Sequence, residues 1–324
     1  MPPVKMAFYI CKRVLLALFV LFIITTACFM LVRMLPMELP PEPNLQQVLL
    51  QRWEALGYNE PLLTQYGIYL KNIVTGWDFG TSWKIDQLKP AWDLLVDRLT
   101  PTVLVNLYSL LFSVPLGILL GICAAVRKGK WIDTLISTSV MVFVSVPSYV
   151  YAFLVQYFLY LKWGLFPLTV YSLADAGGSW FTGKMFYSMV PAILALSFGT
   201  IAGLARFTRA ELTETLTSDY MLLARTKGLS RRQATARHAL KNAMVPILPT
   251  IISSFVGILG GSFIIEKIFS IPGVGALYIS AITQRDYDVF MVDSIFYTFI
   301  GLMAGIIVDI SYGFIDPRIR MGEK

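Results

Sequence analysis

The side chains that most often carry chemistry in proteins are scarce in this sequence. It has one histidine, His238, and three cysteines, Cys11, Cys28 and Cys123, which lie in or beside apolar runs. A metal site needs several histidine, cysteine or carboxylate ligands at close spacing, and His238 has no such neighbour in the sequence. We therefore predict no metal site and no disulfide framework, and we interpret His238 as a polar surface residue.

Motifs for nucleotide binding and for nucleophilic catalysis do not occur. The Gly-Lys pairs at 129–130 and 183–184 are followed by Trp and Met, so the sequence contains no G-x-x-x-x-G-K-[ST] phosphate loop. It also contains no HExxH, no GxSxG and no paired acid and base. We predict that the chain has no catalytic residue and binds no cofactor of its own.

Two carboxylates fall inside the last apolar run, Asp293 near its start and Asp309 near its end. An intramembrane acid can serve as a proton relay or a substrate contact. Arg318 and Arg320 follow Asp309 closely, so a structural role is favoured for Asp309, in which it pairs with a cation or caps backbone amides.

The longest polar island of the chain runs from Asp219 to Pro249. It carries one acid and six cations, Arg225, Lys227, Arg231, Arg232, Arg237 and Lys241. Tyr220, Leu223, Ala224 and Leu229 separate from the charged residues at roughly helical spacing. Gly228 is typical of a helix end and Ser230 of an N-cap, so the island is predicted to form two short helices at an angle. It is interpreted as a cytoplasmic docking loop.

The composition identifies the elements that must carry this island. Hydrophobic residues make up 56% and charged residues 15% of the 324 residues, and the mean hydropathy is +0.66. A soluble domain has about 25% charged residues. We therefore predict an all-α polytopic membrane protein. The net charge of +7 is attributed to cytoplasmic loops rather than to nucleic-acid binding.

Six apolar runs are long enough to span a bilayer, and they are separated by polar loops. The predicted spans are 14–32, 101–126, 131–163 with an interruption at Pro147, 185–205, 243–265 and 289–314. The first is too long for a signal peptide and has no small-residue cleavage site. Residues 36–100 are predicted to form an ordered outer loop with amphipathic helices at 45–56 and 61–74. Residues 265–275 are too polar and broken to span.

Basic residues orient the spans. Seventeen of the 27 cations fall in segments that lie on one side if the N-terminus is cytoplasmic, whereas 13 of the 20 acids fall on the other side. This asymmetry predicts that both termini and the island are cytoplasmic. Proline and glycine are dense within the spans, which fits close helix packing and also fits helices that bend during transport. Both interpretations remain open.

Several segments, in order and at matching spacing, resemble one family. They are the opening ICKRVLLALFVLFIITTACFMLVRMLP, the outer-loop sequence ending in DFGTS, RLTPTVLVNLYSLLFSVPLGILLGICAAVRKGKWID, DYMLLARTKGLSRRQATARHALKNA, EKIFSIPGVG and DPRIR. Nearly the whole chain is similar to the first permease of ATP-binding-cassette (ABC) importers of the dipeptide/oligopeptide/nickel branch. Two departures stand out: Leu222 and Leu223 occupy the Glu and first Ala positions of the general E-A-A-x-x-x-G loop, and residues 37–40 replace the usual Gly-Asp-Pro.

The resemblance implies a type I importer permease fold with three regions: an N-terminal helix (1–35), an extracytoplasmic loop region (36–100) and a permease core (101–324) whose coupling loop covers about 206–242. It places the chain in a bacterial cytoplasmic membrane, among lipid. The implied partners are a second homologous permease, two ATPases that bind the ATP and magnesium, an extracytoplasmic binding protein and a peptide substrate.

The resemblance also assigns candidate site residues. The ATPase-coupling set is Asp219, Tyr220, Leu223, Ala224, Lys227, Gly228, Leu229, Arg231 and Arg232. The set expected to face the binding protein is Asp78, Gly80, Ser82, Glu266, Pro272 and Gly273. Hydrophobic anchors would seat the short helix on an ATPase, while cations would fix its register. ATP-driven closure of the ATPase pair would then move the spans.

Three other functions compete with a peptide importer permease. A permease of the same family could carry nickel or another small solute, although no cluster of metal ligands lines a span. A secondary transporter would need an internal repeat and intramembrane ion ligands, neither of which is clear. An integral-membrane enzyme would need clustered acids, histidines or a nucleophile, and the sequence offers little of that kind.

Overall fold

The computed structural model describes residues 3–36 and 43–315, without the side chains of residues 3–7, 45 and 312–315. Residues 37–40, where the sequence departs from the family pattern, therefore lie outside the described residues. The same is true of the C-terminal DPRIR segment with Arg318 and Arg320.

The described chain is helical throughout, with irregular connections. The α-helices are α1 (Pro3–Arg33), α2 (Pro43–Ala55), α3 (Leu62–Gly76), α4 (Ala91–Val126), α5 (Trp131–Ser145), α6 (Ser148–Gln156), α7 (Gly183–Leu216), α8 (Asp219–Thr226), α9 (Arg231–Ala234), α10 (Leu240–Val256), α11 (Phe263–Ile268), α12 (Val274–Gln284) and α13 (Tyr287–Ile315). Short π-helical stretches follow α6 and α9, and a 3-10 turn, Gly257–Gly260, follows α10.

Within the described residues, five helices are long and apolar enough to cross a membrane. A sixth span results if α5 and the helix from Ser148 to Lys162 count as one span bent by 101°. The prediction of six spans is confirmed on that count. The bend falls at Pro147, where the sequence placed its interruption, because proline lacks an N–H and disfavours helix at the residue before it.

Some boundaries differ from the predicted ones. Helix α4 begins at Ala91, directly after Pro90, ten residues before the predicted span, and α7 continues to Leu216 rather than ending near 205. The fifth span ends at Gly260 because Gly261 adopts φ +61, outside the helical region. Residues 265–275 do not span, as predicted, although α12 after them was not predicted. Helices α2 and α3 fall within two residues of their predicted bounds.

Helices α4 and α7 form the centre of the bundle and approach each other at two glycines. A Cβ added at Gly121 would lie 2.5 Å from Cβ of Thr208, and one at Gly117 would lie 2.8 Å from Cβ of Leu204. The packing interpretation is therefore confirmed for these two glycines. Around Gly199 and Gly257 an added Cβ would meet nothing within 4 Å, so close packing does not explain those two positions.

Helix α1 packs along α13, and an ion pair joins them. The guanidinium of Arg13 lies 3.1 Å from the carboxylate of Asp309. Pairing of Asp309 with a cation is thus confirmed, but the cation comes from the first helix of the chain. This pair lies at the end of the bundle that carries the polar island, which we call the basic end. The other, outer end carries α2, α3, α11 and α12.

Candidate functional site

At the basic end, α8 stands between α7 and α9 as a separate two-turn helix. Gly228 adopts φ +91 after it, a backbone conformation that favours glycine. Ser230 then caps α9: its hydroxyl accepts the N–H of Gln233, while the Gln233 amide oxygen accepts the N–H of Ser230. The predicted helix break at Gly228 and the predicted N-cap at Ser230 are both confirmed, but only the first of the two predicted short helices is a separate helix. Helix α9 runs through a π-helical turn into α10, so the second short helix belongs to the fifth span.

One face of α8 is buried against the bundle. Met221 and Ala224, which are 4% and 6% exposed, belong to a cluster of small and aliphatic side chains from α4, α7 and the helices around α9 and α10. The other buried members are Ala125, Leu212, Ala234, Ala239 and Ala243. We call this cluster the alanine seat. Because Ala224 lies in it, that residue contributes packing and no outward contact surface, contrary to the expectation from sequence.

The opposite face of α8 is apolar and exposed. Tyr220 is 37% exposed, Leu223 55% and Leu222 61%. We call these three residues the apolar tip. The set of contact residues expected from the sequence did not include Leu222. Helical geometry could have indicated its exposure, because successive residues are about 100° apart around a helix. If positions 221 and 224 are buried, position 222 therefore points away from the buried face.

Charged side chains surround the apolar tip. Asp219 lies in the first turn of α8, where an acid complements the helix dipole. Lys227, Arg231 and Arg232 are exposed beyond its C-terminal end, whereas Leu229 is half-buried against the alanine seat. The surface therefore combines an apolar centre with a positive rim, which suits a groove with acidic edges on another protein.

A second contact at the basic end ties neighbouring helices together. Arg209 of α7 donates two hydrogen bonds to Asp133 at the start of α5, at 2.5 and 2.9 Å. The same carboxylate accepts the N–H of Gly129, in the turn between α4 and α5, at 2.9 Å. Asp133 therefore ties this turn to α7, about two helical turns before α7 ends. The sequence gives no spacing signal for this pair, because the partners are 76 residues apart.

At the outer end, Ser82 and its neighbours wrap one carboxylate oxygen. Oδ2 of Asp286 accepts the hydroxyl of Ser82 at 2.6 Å and the backbone N–H groups of residues 83, 84 and 85 at 3.0 to 3.1 Å. The N–H of Thr81 donates to Asp288, which begins α13. We call this joint between residues 78–85 and the start of α13 the outer latch.

Gly80 is required where the outer latch closes. Its φ is +99, and an added Cβ would lie 2.4 Å from the Asp288 carboxylate. Asp78 accepts two hydrogen bonds from Arg52 of α2, at 2.8 and 2.9 Å. Of the three residues expected to face a binding protein here, Asp78 is partly exposed, whereas Ser82 is fully buried. Gly80 and Ser82 therefore determine the shape of the loop.

Glu266 organises the segment between α11 and α12. Its carboxylate accepts the hydroxyl of Thr102 and the N–H of Ala276, both at 2.9 Å. Added Cβ atoms at Gly261 and Gly273 would lie 2.3 and 2.4 Å from its oxygens. Burial raises the pKa of Glu266, and the hydrogen bonds from Ala276 and Thr102 oppose that rise. Being 2% exposed, Glu266 cannot itself touch a partner in this conformation.

Pro272 is the member of this second set that reaches the surface. It lines an open outer groove of about 810 Å³, together with Lys89, Arg98, Tyr171 and Trp180. Gly273 is buried behind it. Among the described residues there is no group of three or more His, Cys, Asp or Glu side chains that could hold a metal ion.

Comparison with known proteins agrees with this geometry. Residues 117–321 match the family model described as the binding-protein-dependent transport system inner membrane component. The dipeptide transport system permease protein DppB of Lactococcus lactis subsp. cremoris is 36% identical over 314 residues, which is 97% of this chain and 99% of that protein. DppB of Bacillus subtilis is 33% identical over 326 residues, covering 98% and 100%.

A further relative and a solved structure extend the comparison. The glutathione transport system permease protein GsiC of Escherichia coli K12 is 32% identical over 317 residues, covering 96% of this chain and 98% of that protein. The crystal structure of an amino acid ABC transporter with histidines contains a chain with the same fold, with a TM-score of 0.52 at 18% identity over 69% of this chain and 94% of that chain. This chain is a multi-pass membrane protein and belongs to the family of binding-protein-dependent transport system inner membrane components, the permease subunits of ABC importers.

Proposed function

We propose that this permease forms half of the translocation pathway of an ATP-driven peptide importer, and that α8 is where its ATPase docks. The observation that carries the docking proposal is the apolar tip, three exposed large side chains held on a rigid, packed base. An apolar anchor inside a charged rim is the usual composition of a binding hot spot. Two close relatives bear dipeptide permease names, which supports peptides as the substrate class rather than nickel.

The alanine seat converts docking into movement of the spans. It joins α8 to α4, to α7 and to the start of the fifth span, so a push on α8 reaches three spans at once. The Asp133–Arg209 pair extends the connection to the α4–α5 turn. Coupling by this route needs two discrete packings of these helices and no catalytic group in this chain. ATP and magnesium would be bound by two partner ATPases, and a second, homologous permease would complete the pathway.

The basic end, with both termini, would then face the cytoplasm of a bacterial inner membrane. This orientation is supported by the basic α4–α5 turn and the polar island, which meet at that end. The outer groove and the outer latch would face the binding protein. Asp78 and Pro272 would contribute surface, while Gly80, Ser82, Glu266 and Gly273 would hold that surface in shape.

The docking proposal is tested with Leu223→Asp in the assembled transporter, with Val74→Asp as the matched control. Val74 is 82% exposed on α3, at the outer end, so a charge there leaves ATPase docking intact. Burying a leucine is worth about 1.5–3 kcal/mol, which corresponds to a roughly 10- to 100-fold change in affinity. In the Leu223→Asp variant, the amount of ATPase that copurifies with the permease should therefore fall at least tenfold, and ATP-driven uptake should be lost. Retention of both would refute the docking site.

The substrate is tested separately, with labelled dipeptide and with labelled nickel in proteoliposomes that contain the complete wild-type assembly. Peptide accumulation that depends on ATP and on the binding protein is the expected result. Accumulation of nickel without accumulation of peptide would refute the peptide assignment, but it would not bear on the proposed docking site.

A further inference from the structure

Helix α13 carries two aspartates with opposite surroundings. Asp309 is paired with Arg13, at 3.1 Å. Asp293, four turns earlier, is 0% exposed, and neither of its carboxylate oxygens has a hydrogen-bond partner among the described residues. A fully buried aspartate that accepts no hydrogen bond from the described protein groups, inside a membrane-spanning helix, has no protein donor to stabilise a negative charge.

The side chains beside Asp293 do not supply that stabilisation. The hydroxyl groups of Ser294 and Tyr297, on the same stretch of α13, are also buried without a partner. From α11, Glu266 contributes a second carboxyl group, whose negative charge would disfavour a charge on Asp293. From α12, Tyr278 contributes a phenol whose ring packs against that of Tyr297, with the centroids 5.6 Å apart. The charged group that acts on Asp293 is therefore another acid.

The two acids differ in the hydrogen bonds they receive. Glu266 accepts bonds from Thr102 and from Ala276 near the N-terminus of α12, where a negative charge is favoured. Asp293 accepts none. An unpaired buried carboxylate is strongly unfavourable, and a second negative charge nearby makes it more so. Of the two, Glu266 has hydrogen-bond donors that stabilise a negative charge, and Asp293 has none among the described residues.

A bound proton neutralises the buried carboxylate of Asp293 and requires fewer ligands than any metal ion. A divalent metal ion would require about six oxygen ligands, and no cluster of metal-binding side chains surrounds Asp293 among the described residues. A proton needs one oxygen. We propose that Asp293 is a proton-binding site, occupied in this conformation, so that its carboxyl group is neutral beside the hydrogen-bonded side chain of Glu266.

The proton keeps the outer part of the bundle packed. Phe263 of α11, Tyr278 of α12 and Tyr297 of α13 form one aromatic cluster, with ring centroids 5.1 to 5.6 Å apart. With the proton bound, α13 presents an uncharged surface to this cluster. Without it, two carboxylates would repel each other across α11 and α13, and the negative charge on α13 would draw in water.

The test uses the complete transporter in lipid nanodiscs and compares Asp293→Asn with Asp309→Asn by infrared difference spectroscopy. At neutral pH the wild type should show the carbonyl stretch of a protonated carboxylic acid, and Asp293→Asn should lack that band. Asp309→Asn should retain it, because the band is assigned to Asp293, whereas Asp309 is paired with the guanidinium of Arg13. If the wild-type and Asp293→Asn spectra do not differ in this band, the proposal is wrong.

Thermal unfolding of the same three proteins gives a second, independent answer. Asparagine resembles a protonated aspartate in shape and charge, so Asp293→Asn should unfold within about a degree of the wild type and keep ATP-driven uptake. Asp309→Asn should unfold at a slightly lower temperature, since it leaves Arg13 without its partner, and an ion pair this exposed contributes little stability. If Asp293→Asn unfolds well below the wild type, the neutral asparagine does not substitute for the native side chain, so Asp293 is not neutral in this conformation and the proposal fails.

Discussion

Replacing Gly80 by alanine should open the outer latch, because two separate costs fall on that position. The residue adopts φ +99, and a Cβ there would lie 2.4 Å from the carboxylate of Asp288. Positive φ costs a non-glycine residue about 1–2 kcal/mol. Inserting a methyl group into a filled site costs a further ~1–3 kcal/mol.

The two contributions to the Gly80→Ala cost can be separated with Gly129→Ala. Gly129 also adopts positive φ, at +77, but an added Cβ there meets nothing within 4 Å. Gly129→Ala should therefore cost only the conformational part. We expect Gly80→Ala to lower the free energy of unfolding by about 2–5 kcal/mol and Gly129→Ala by about 1–2 kcal/mol.

The assay is detergent-driven unfolding in mixed micelles, followed by tryptophan fluorescence. Three tryptophans, Trp77, Trp83 and Trp92, lie in or beside the outer latch, so its opening should change the emission early in the titration. Equal destabilisation by the two alanine substitutions would refute the steric contact with Asp288. A wild-type stability for Gly80→Ala would refute the outer latch as a whole.

Other substitutions test the packing of the spans and the contacts at the basic end. Gly121→Ala should lower the free energy of unfolding by about 1–3 kcal/mol, because the new Cβ would lie 2.7 Å from the carbonyl oxygen of Ala205. The control Gly203→Ala should leave the free energy of unfolding unchanged, because a Cβ at Gly203 meets nothing within 4 Å. Equal thermal stabilities of the two variants would contradict the close α4–α7 contact. Asp133→Asn removes the negative charge that binds Arg209, a side chain that is about one-third exposed. The substitution should lower the free energy of unfolding by about 2 kcal/mol. It should also reduce the amount of peptide taken up per ATP hydrolysed. Unchanged stability and coupling in that variant would exclude the ion pair as a connection between α5 and α7.

Much of the fold follows from local sequence. Apolar length predicted the spans, Pro147 predicted the break in the third, and Gly228 with Ser230 predicted the division of the polar island. These features depend on the backbone preferences of single residues or on residues a few positions apart in the sequence. The start of α4 at Ala91 escaped prediction because its first turns are polar and belong to the outer segment.

The contacts that define the candidate site were harder to predict, because they join distant parts of the chain. Ser82 and Asp286 are 204 residues apart, and Glu266 and Thr102 are 164 apart. The sequence motif drew attention to Gly80 and Ser82, but their burial against α13 could not be read from it. Similarly, helical spacing grouped Leu223 with Ala224, and only the packing of the alanine seat separates the exposed residue from the buried one.

In the proposed complex, α8 presents its apolar tip to an ATPase. The most direct measurement places a photo-crosslinking amino acid at Leu223 and, in a separate variant, at Met221, two residues away but buried in the alanine seat. In the complete transporter, position 223 should give an adduct with the ATPase subunit, whereas position 221 should crosslink only within the permease. Docking through the apolar tip would be contradicted by an ATPase adduct from position 221 alone. It would also be contradicted if neither position gave an ATPase adduct.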